Sequence, residues 1–190
     1  MIIGLAGKAL KVPPVASLFP EMSDVVADKP KLIVQAGAQL DDWGTPADVL
    51  DFVRKVFEGE ITLDLASNAT ANLMVRAERY YSLERPCPDQ PETRLGELVF
   101  CNPPGAAENV RLFFQRWCRA VEVSKFGGFL CFNTDHFRSL ECKWPWFKVV
   151  MCRKRLKFVG APSQYNHPSA LIFAGRSHIV DDFGIVCSWP

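Results

Sequence analysis

The chain has 190 residues and a formal net charge of +1, with 48% hydrophobic and 23% charged residues. This composition suits one globular domain with a sizeable core and excludes a disordered chain. The near-balance of charge also excludes a global attraction to polyanions, so any nucleic-acid contact must rest on a local patch.

Seven cysteines, an odd number, occur without Cys-x-x-Cys spacing, and the three histidines stand apart. The pattern argues against a zinc site or a disulfide framework. It points instead to reduced, mostly buried thiols in a cytoplasmic protein with no metal. No apolar run approaches the roughly 20 residues that span a bilayer. The start, Met1-Ile2-Ile3-Gly4, lacks the basic region of a secretory signal, so no membrane association is expected.

Residues 1–40 read as an N-terminal extension of uncertain structure, with prolines at 13, 14, 20 and 30 and a short helix near Glu21 to Ala27. Ile2 to Lys8 resembles the glycine turn of phosphate-binding-loop kinases. That turn needs four residues between its glycines and a Ser or Thr after the lysine. Here two residues separate Gly4 from Gly7, and Ala9 follows Lys8, so nucleotide-kinase chemistry is set aside.

Asp41-Asp42-Trp43-Gly44-Thr45-Pro46 opens a helix, with Thr45 expected as the N-cap and Pro46 at the first helical position. Leu50, Val53, Val56 and Phe57 then recur at helical spacing. Glu60 to Asn68 reads as a strand ending in a small-residue turn, and Asp64 falls where that strand leaves the core. Such an acid either caps the next helix, expected from Ala71 to about Arg79, or faces a ligand. Residues 80–97 read as a long polar connection.

Leu98-Val99-Phe100-Cys101 is a short core strand that stops at Asn102-Pro103-Pro104. Neither proline can donate to a ladder, and Asn102, which precedes a proline, is held extended. A polar amide is thereby presented on a stiff turn at the carboxyl end of a strand, where open α/β sheets bind ligands. The Asn102 side-chain oxygen and the Pro103 carbonyl are two acceptors that can grip the two hydrogens of an exocyclic amino group. The same residues equally suit a plain strand-to-helix turn.

Asn109 to Ser124 is an amphipathic helix with Val110, Phe113, Phe114, Trp117 and Val121 on its core side. Gly127 to Asn133 is a further buried-type strand. Lys148 to Cys152 and Leu156 to Val159 read as strands flanking Arg153-Lys154-Arg155. With Lys157 these make the densest basic cluster in the chain, which suits a phosphate backbone and equally suits a solvated hairpin. Ser169 to Ala174 and Phe183 to Cys187 are the last expected strands.

Taken together, Asp-x-Trp-x-Thr-Pro at 41–46, Leu-Asp-Leu-Ala-Ser-Asn at 63–68, Tyr80-Tyr81-Ser82-Leu83-Glu84 and Val-Phe-Cys-Asn-Pro-Pro at 99–104 resemble the phage-type DNA N-6-adenine methyltransferase family. Arg155 to Phe158 and Ser169 to Phe173 extend the likeness, which covers about residues 41–175; residues 176–190 form a C-terminal strand or tail. The resemblance implies an α/β fold, a Rossmann-like sheet with flanking helices, and S-adenosylmethionine as methyl donor. It implies a cofactor pocket at Thr45, Pro46, Asp64, Ala66 and Ser67, and a catalytic turn at Asn102, Pro103 and Pro104. The partner would be double-stranded DNA, with the adenine flipped out of the duplex. The location would be cytoplasmic, in the host cell if the protein is encoded by a bacteriophage. The family turn continues with an aromatic that stacks on the base, whereas this chain has Gly105; Phe132, His136 and Trp144 are the candidate replacements. Two alternatives follow from Gly105. One is a catalytically weakened relative that binds DNA or a host protein, as in anti-restriction. The other is an amino-methyltransferase acting on cytosine-N4 or RNA.

Overall fold

A computed structural model describes residues 43–124, 126–140, 147–175 and 186–188. The expected helix near residues 21–27, the first part of the expected strand at Phe183 to Cys187, and Trp144 lie outside the described residues.

The first helix, α1 (Ala47–Phe57), starts one residue after Pro46, which itself occupies the N-cap without a side-chain bond. Thr45 is therefore not the cap. It is buried at 3% exposure, one residue ahead of the cap. Asp48 takes over part of that role, accepting a bond from the Val49 N–H at 3.0 Å. Val49, Leu50, Val53, Val56 and Phe57 form the buried face, and Glu58 ends the helix in a left-handed conformation at φ 54°.

Strand β1 (Leu63–Asp64) leads into α2 (Ala69–Val75), which starts two residues before the expected Ala71. Asn68 explains the early start, because its side chain accepts from the Ala71 N–H at 2.8 Å. Arg76 stops the helix at φ 55°. Arg54 then satisfies the last carbonyls of α2, donating to Met74 and Val75 at 2.8 and 2.9 Å.

Strand β2 (Arg79–Tyr80) lies in the stretch read as the end of a helix and the start of a loop. It is two residues long, polar and at the sheet edge, so it carries no apolar pattern. The connection that follows is tied down. Arg79 pairs with Glu97, the Glu92 N–H donates to the Tyr81 hydroxyl at 3.0 Å, and Arg116 pairs with Asp89 at 2.9 Å.

Strand β3 (Val99–Cys101), helix α3 (Ala107–Ser124) and strand β4 (Gly127–Cys131) form an aromatic core with their neighbours. Phe114 meets Phe129 edge to face at 5.1 Å, and Trp117 packs on Phe129 at 5.7 Å. These helix aromatics are core, as their spacing predicts. Phe57 of α1 contacts Phe126 and Phe173 at 5.0 and 6.4 Å on the opposite face of the sheet. The two glycines of β4 divide between these faces. A Cβ on Gly127 would strike Val121 and Trp117 of α3, whereas one on Gly128 would meet Phe173 and Phe57.

After a short 3₁₀ turn (Thr134–Ser139) come β5 (Phe147–Met151), β6 (Ala170–Ala174) and β7 (Val186–Ser188). The seven strands form one sheet in the order β2-β1-β3-β4-β6-β5-β7. β2, β1, β3 and β4 are parallel, β6 is antiparallel to both its neighbours, and β7 is antiparallel to β5. The sheet is thus a mixed α/β sheet with flanking helices rather than a mostly parallel one. β6 is buried at all five positions, and such a strand reads the same in either direction. The carboxyl ends of β1 to β5 share one edge.

Leu156 to Val159 does not form the expected strand. Leu156 and Phe158 are buried and alternate with exposed Arg155, Lys157 and Val159, so the stretch is extended, but among the described residues it joins no strand of the sheet and makes one isolated bridge, from Val159 to Gly44. The basic run is therefore not the turn of a hairpin.

Candidate active site

Asp64 ends β1 in a fully enclosed position. Its neighbours Leu63 and Leu65 are buried, the Leu65 N–H bonds the Phe100 carbonyl at 3.0 Å, and the Tyr81 N–H bonds the Asp64 carbonyl at 3.0 Å. The carboxyl is 1% exposed and accepts from the Ala66 N–H at 3.1 Å. Burial pushes its pKa up from 3.8 to about 7, against the pull of the Ala66 N–H and the Ser67 side chain. These two donors do not offset the loss of water around the carboxylate. The Ser67 hydroxyl is buried and not aligned on any partner, so its contact with Asp64 is a loose one. Ala66 and Ser67 are half-buried beside it.

Asn102 follows β3. Asp64 is in parallel register with Phe100, so Asn102 lies two residues beyond that partner, about 7 Å along the strand direction. Pro103 is buried and fixes the turn; Asn102 is half-buried. The Asn102 Nδ2 lies 3.5 Å from the Trp43 carbonyl, and Thr45 and Pro46 follow Trp43 directly. Trp43, Thr45 and Asn102 thus reach one edge of the sheet, the edge on which β1 ends at Asp64.

An aromatic group covers this edge. Trp43 stacks on Phe158 at 6.1 Å and 23° and meets Tyr165 edge-on at 6.2 Å. Tyr165 also meets Phe132 at 5.6 Å and Phe158 at 5.9 Å. Of the proposed replacements for a ring after Pro104, Phe132 is 6% exposed and enclosed by Tyr165, Phe158 and His136, and His136 packs edge-on against it at 5.5 Å. Gly105 itself is exposed. The sequence does not mark Tyr165 as part of this edge. It sits in a polar loop with no apolar periodicity, and only its ring contacts mark it.

Arg153, Lys154, Arg155 and Lys157 leave the carboxyl end of β5, on the same edge as Asn102. All four are exposed. They make no ion pair with another described residue, which leaves them available to an anion.

Burial holds several of the thiols in the protonated form, the weaker nucleophile. Burial pushes Cys87 and Cys131 up to about 12, and Cys101 rises as well. No group of three metal-ligating side chains occurs among the described residues. No described helix is long and apolar enough to cross a membrane. Compared with known proteins, the chain matches no family model, no curated protein and no solved structure.

Proposed function

We propose that this chain is a DNA methyltransferase that moves a methyl group from S-adenosylmethionine to the exocyclic amino group of a flipped adenine. The observation that carries the reading is the pairing of Asp64 and Asn102 at the carboxyl ends of adjacent parallel strands, one a desolvated acid and the other an amide on a proline turn. On this reading the mixed sheet is a Rossmann-like methyltransferase sheet.

The residues at the end of β1 suit the cofactor. The Asp64 carboxyl gains from any donor or positive charge brought to it, and the buried Ser67 hydroxyl beside it can turn to a ligand. Thr45, Pro46 and Ala66 complete the proposed pocket. When bound, the cofactor supplies an electrophilic methyl group. The Asn102 Oδ1 and the Pro103 carbonyl then accept the two amino hydrogens, which keeps the nitrogen lone pair directed at the electrophile. Pro104 holds that carbonyl in place. On transfer the bond from the methyl group to the sulfonium sulfur would break as the N–C bond forms, leaving a neutral thioether, and the surplus proton on the then cationic nitrogen would pass to solvent. The exposed Arg153, Lys154, Arg155 and Lys157 suit the DNA phosphates.

One observation favours a second reading. Gly105 is exposed and Phe132 is enclosed, so neither position supplies a free ring to stack on a base, and Trp144 lies outside the described residues. A chain without that ring suits a DNA-binding or anti-restriction role with little transfer. The discriminating experiment is incubation of the full chain with labelled S-adenosylmethionine and unmethylated DNA, followed by identification of the modified base. N6-methyladenine is expected. Label in N4-methylcytosine or RNA would move the substrate, and cofactor binding without transfer would favour the binding role.

A further inference from the structure

We propose that a backbone clasp between Gly44 and Val159 positions the Asn102 amide, with Trp43 as its positioning residue; this rests on the reading of Asn102 as the group that holds the substrate amino nitrogen. An asparagine amide can present either its oxygen or its nitrogen, and only the oxygen can accept an amino hydrogen. Nothing in a half-buried side chain on a proline turn selects between the two faces. The Trp43 carbonyl does, because it is an acceptor 3.5 Å from the amide nitrogen. The flipped amide would set two acceptors against each other. The contact is long for a hydrogen bond, as contacts at reacting groups often are before substrate binds.

The Trp43 carbonyl is itself held from two sides. The Gly44 N–H donates to the Val159 carbonyl at 3.0 Å, and the Val159 N–H donates back at 2.9 Å. The Trp43 ring lies on Phe158, and the Tyr165 ring closes its edge. Tyr165 is anchored in turn, its N–H donating to the Leu156 carbonyl at 2.8 Å. The clasp is closed at contact distance: a Cβ on Gly44 would lie 3.2 Å from the Val159 Cβ. Glycine at 44 is thus what lets the two backbones approach. Gly44 and Val159 are 115 positions apart in the chain (159 − 44), so no local rule accounts for the contact.

The steric detail supplies the test. Gly44→Ala should push the clasp apart by a few tenths of an ångström, and adding Val159→Gly should let it close again. Val159 is 44% exposed, so that second change removes little packing. Val159→Pro opens the clasp by another route, removing one donor while leaving Gly44 intact.

The first readout is the side-chain amide resonance pair of Asn102 in the full chain without substrate, assigned by its loss in Asn102→Asp. The pair should shift and broaden in Gly44→Ala and in Val159→Pro, and return in Gly44→Ala/Val159→Gly, while other asparagine side chains stay put. The second readout is methyl transfer. Here kcat should fall about tenfold in Gly44→Ala with less change in KM for DNA, and recover in the double variant; misplacing a reacting group by about 1 Å costs up to about a hundredfold. Transfer by the wild type, with Asn102 resonances identical in all clasp variants, would overturn the clasp and leave the functional reading intact. Resonances that follow the clasp, in a chain whose wild type transfers no methyl group, would support the positioning and overturn the function.

Discussion

Asp64 and Asn102 stand at the ends of neighbouring parallel strands, with Asp64 in register with Phe100 and Asn102 two residues past it. Their environments differ: Asp64 is sealed in the core, while the Asn102 side chain reaches the surface beside Trp43. A buried acid and an accessible amide, set close along one sheet edge, can serve two parts of one ligand pair.

The first prediction concerns pH. The folded-state pKa of Asp64 is raised to about 7, so between pH 3.8 and about 7 the folded protein holds a proton that the unfolded chain has lost. Stability therefore falls as pH rises through that window and levels off above it. A shift of about three units corresponds to on the order of 4 kcal/mol. Asp64→Asn should remove this slope, making the variant the more stable protein at pH 8 and nearly equal to wild type below pH 4. Denaturant melts across the range check it; parallel pH profiles for the two proteins would contradict the burial argument.

The proposed cofactor binding would share this origin. If the bound form needs the carboxylate, affinity should rise with pH through about 7, with release of one proton below it. Asp64→Ala should weaken binding by about 1.5–3 kcal/mol, the worth of a hydrogen bond to a charged group. Calorimetry in buffers of different ionisation heat reads both effects, and an affinity insensitive to pH and to the substitution would remove Asp64 from the pocket.

Much of this edge was legible in the chain. Leu63, Val99 and Gly127 open strands that the apolar runs announced, and the prolines at 103 and 104 placed Asn102 at a strand end. What stayed hidden depends on backbone meeting backbone. The reversal of β6, the two-residue strand Arg79–Tyr80 and the Gly44–Val159 bridge leave no side-chain period to read. Thr45 suits a cap by residue type, but the helix starts after Pro46 and Thr45 is buried, which its type does not announce.

Gly105 offers a gain-of-function test. It is exposed, and its backbone is outside the left-handed region, so a side chain there requires no unfavourable backbone conformation. With Phe132 enclosed, Gly105→Tyr should raise transfer about ten- to a hundredfold, the worth of one stacked base of about 1–3 kcal/mol. A fall in single-turnover rate would mean that another ring, with Tyr165 the first candidate, already occupies the place.

The exposed run at 153–157 should set the salt dependence of DNA binding. Neutralising Arg153 and Arg155 should weaken binding to every sequence alike and lower the slope of log K against log salt by about two. A titration series at several salt concentrations measures it, and an unchanged slope would make the run a solvated surface.

The central claim is tested most directly by side-by-side label transfer from S-adenosylmethionine to unmethylated DNA by the wild type and Asn102→Ala. Asn102 is half-buried and makes one long bond, so its loss should change stability by only about 0.5 kcal/mol and leave cofactor affinity nearly intact. The account predicts N6-methyladenine from the wild type and no detectable product from the variant. A wild type that labels no base, and that cannot be told from Asn102→Ala, would contradict it.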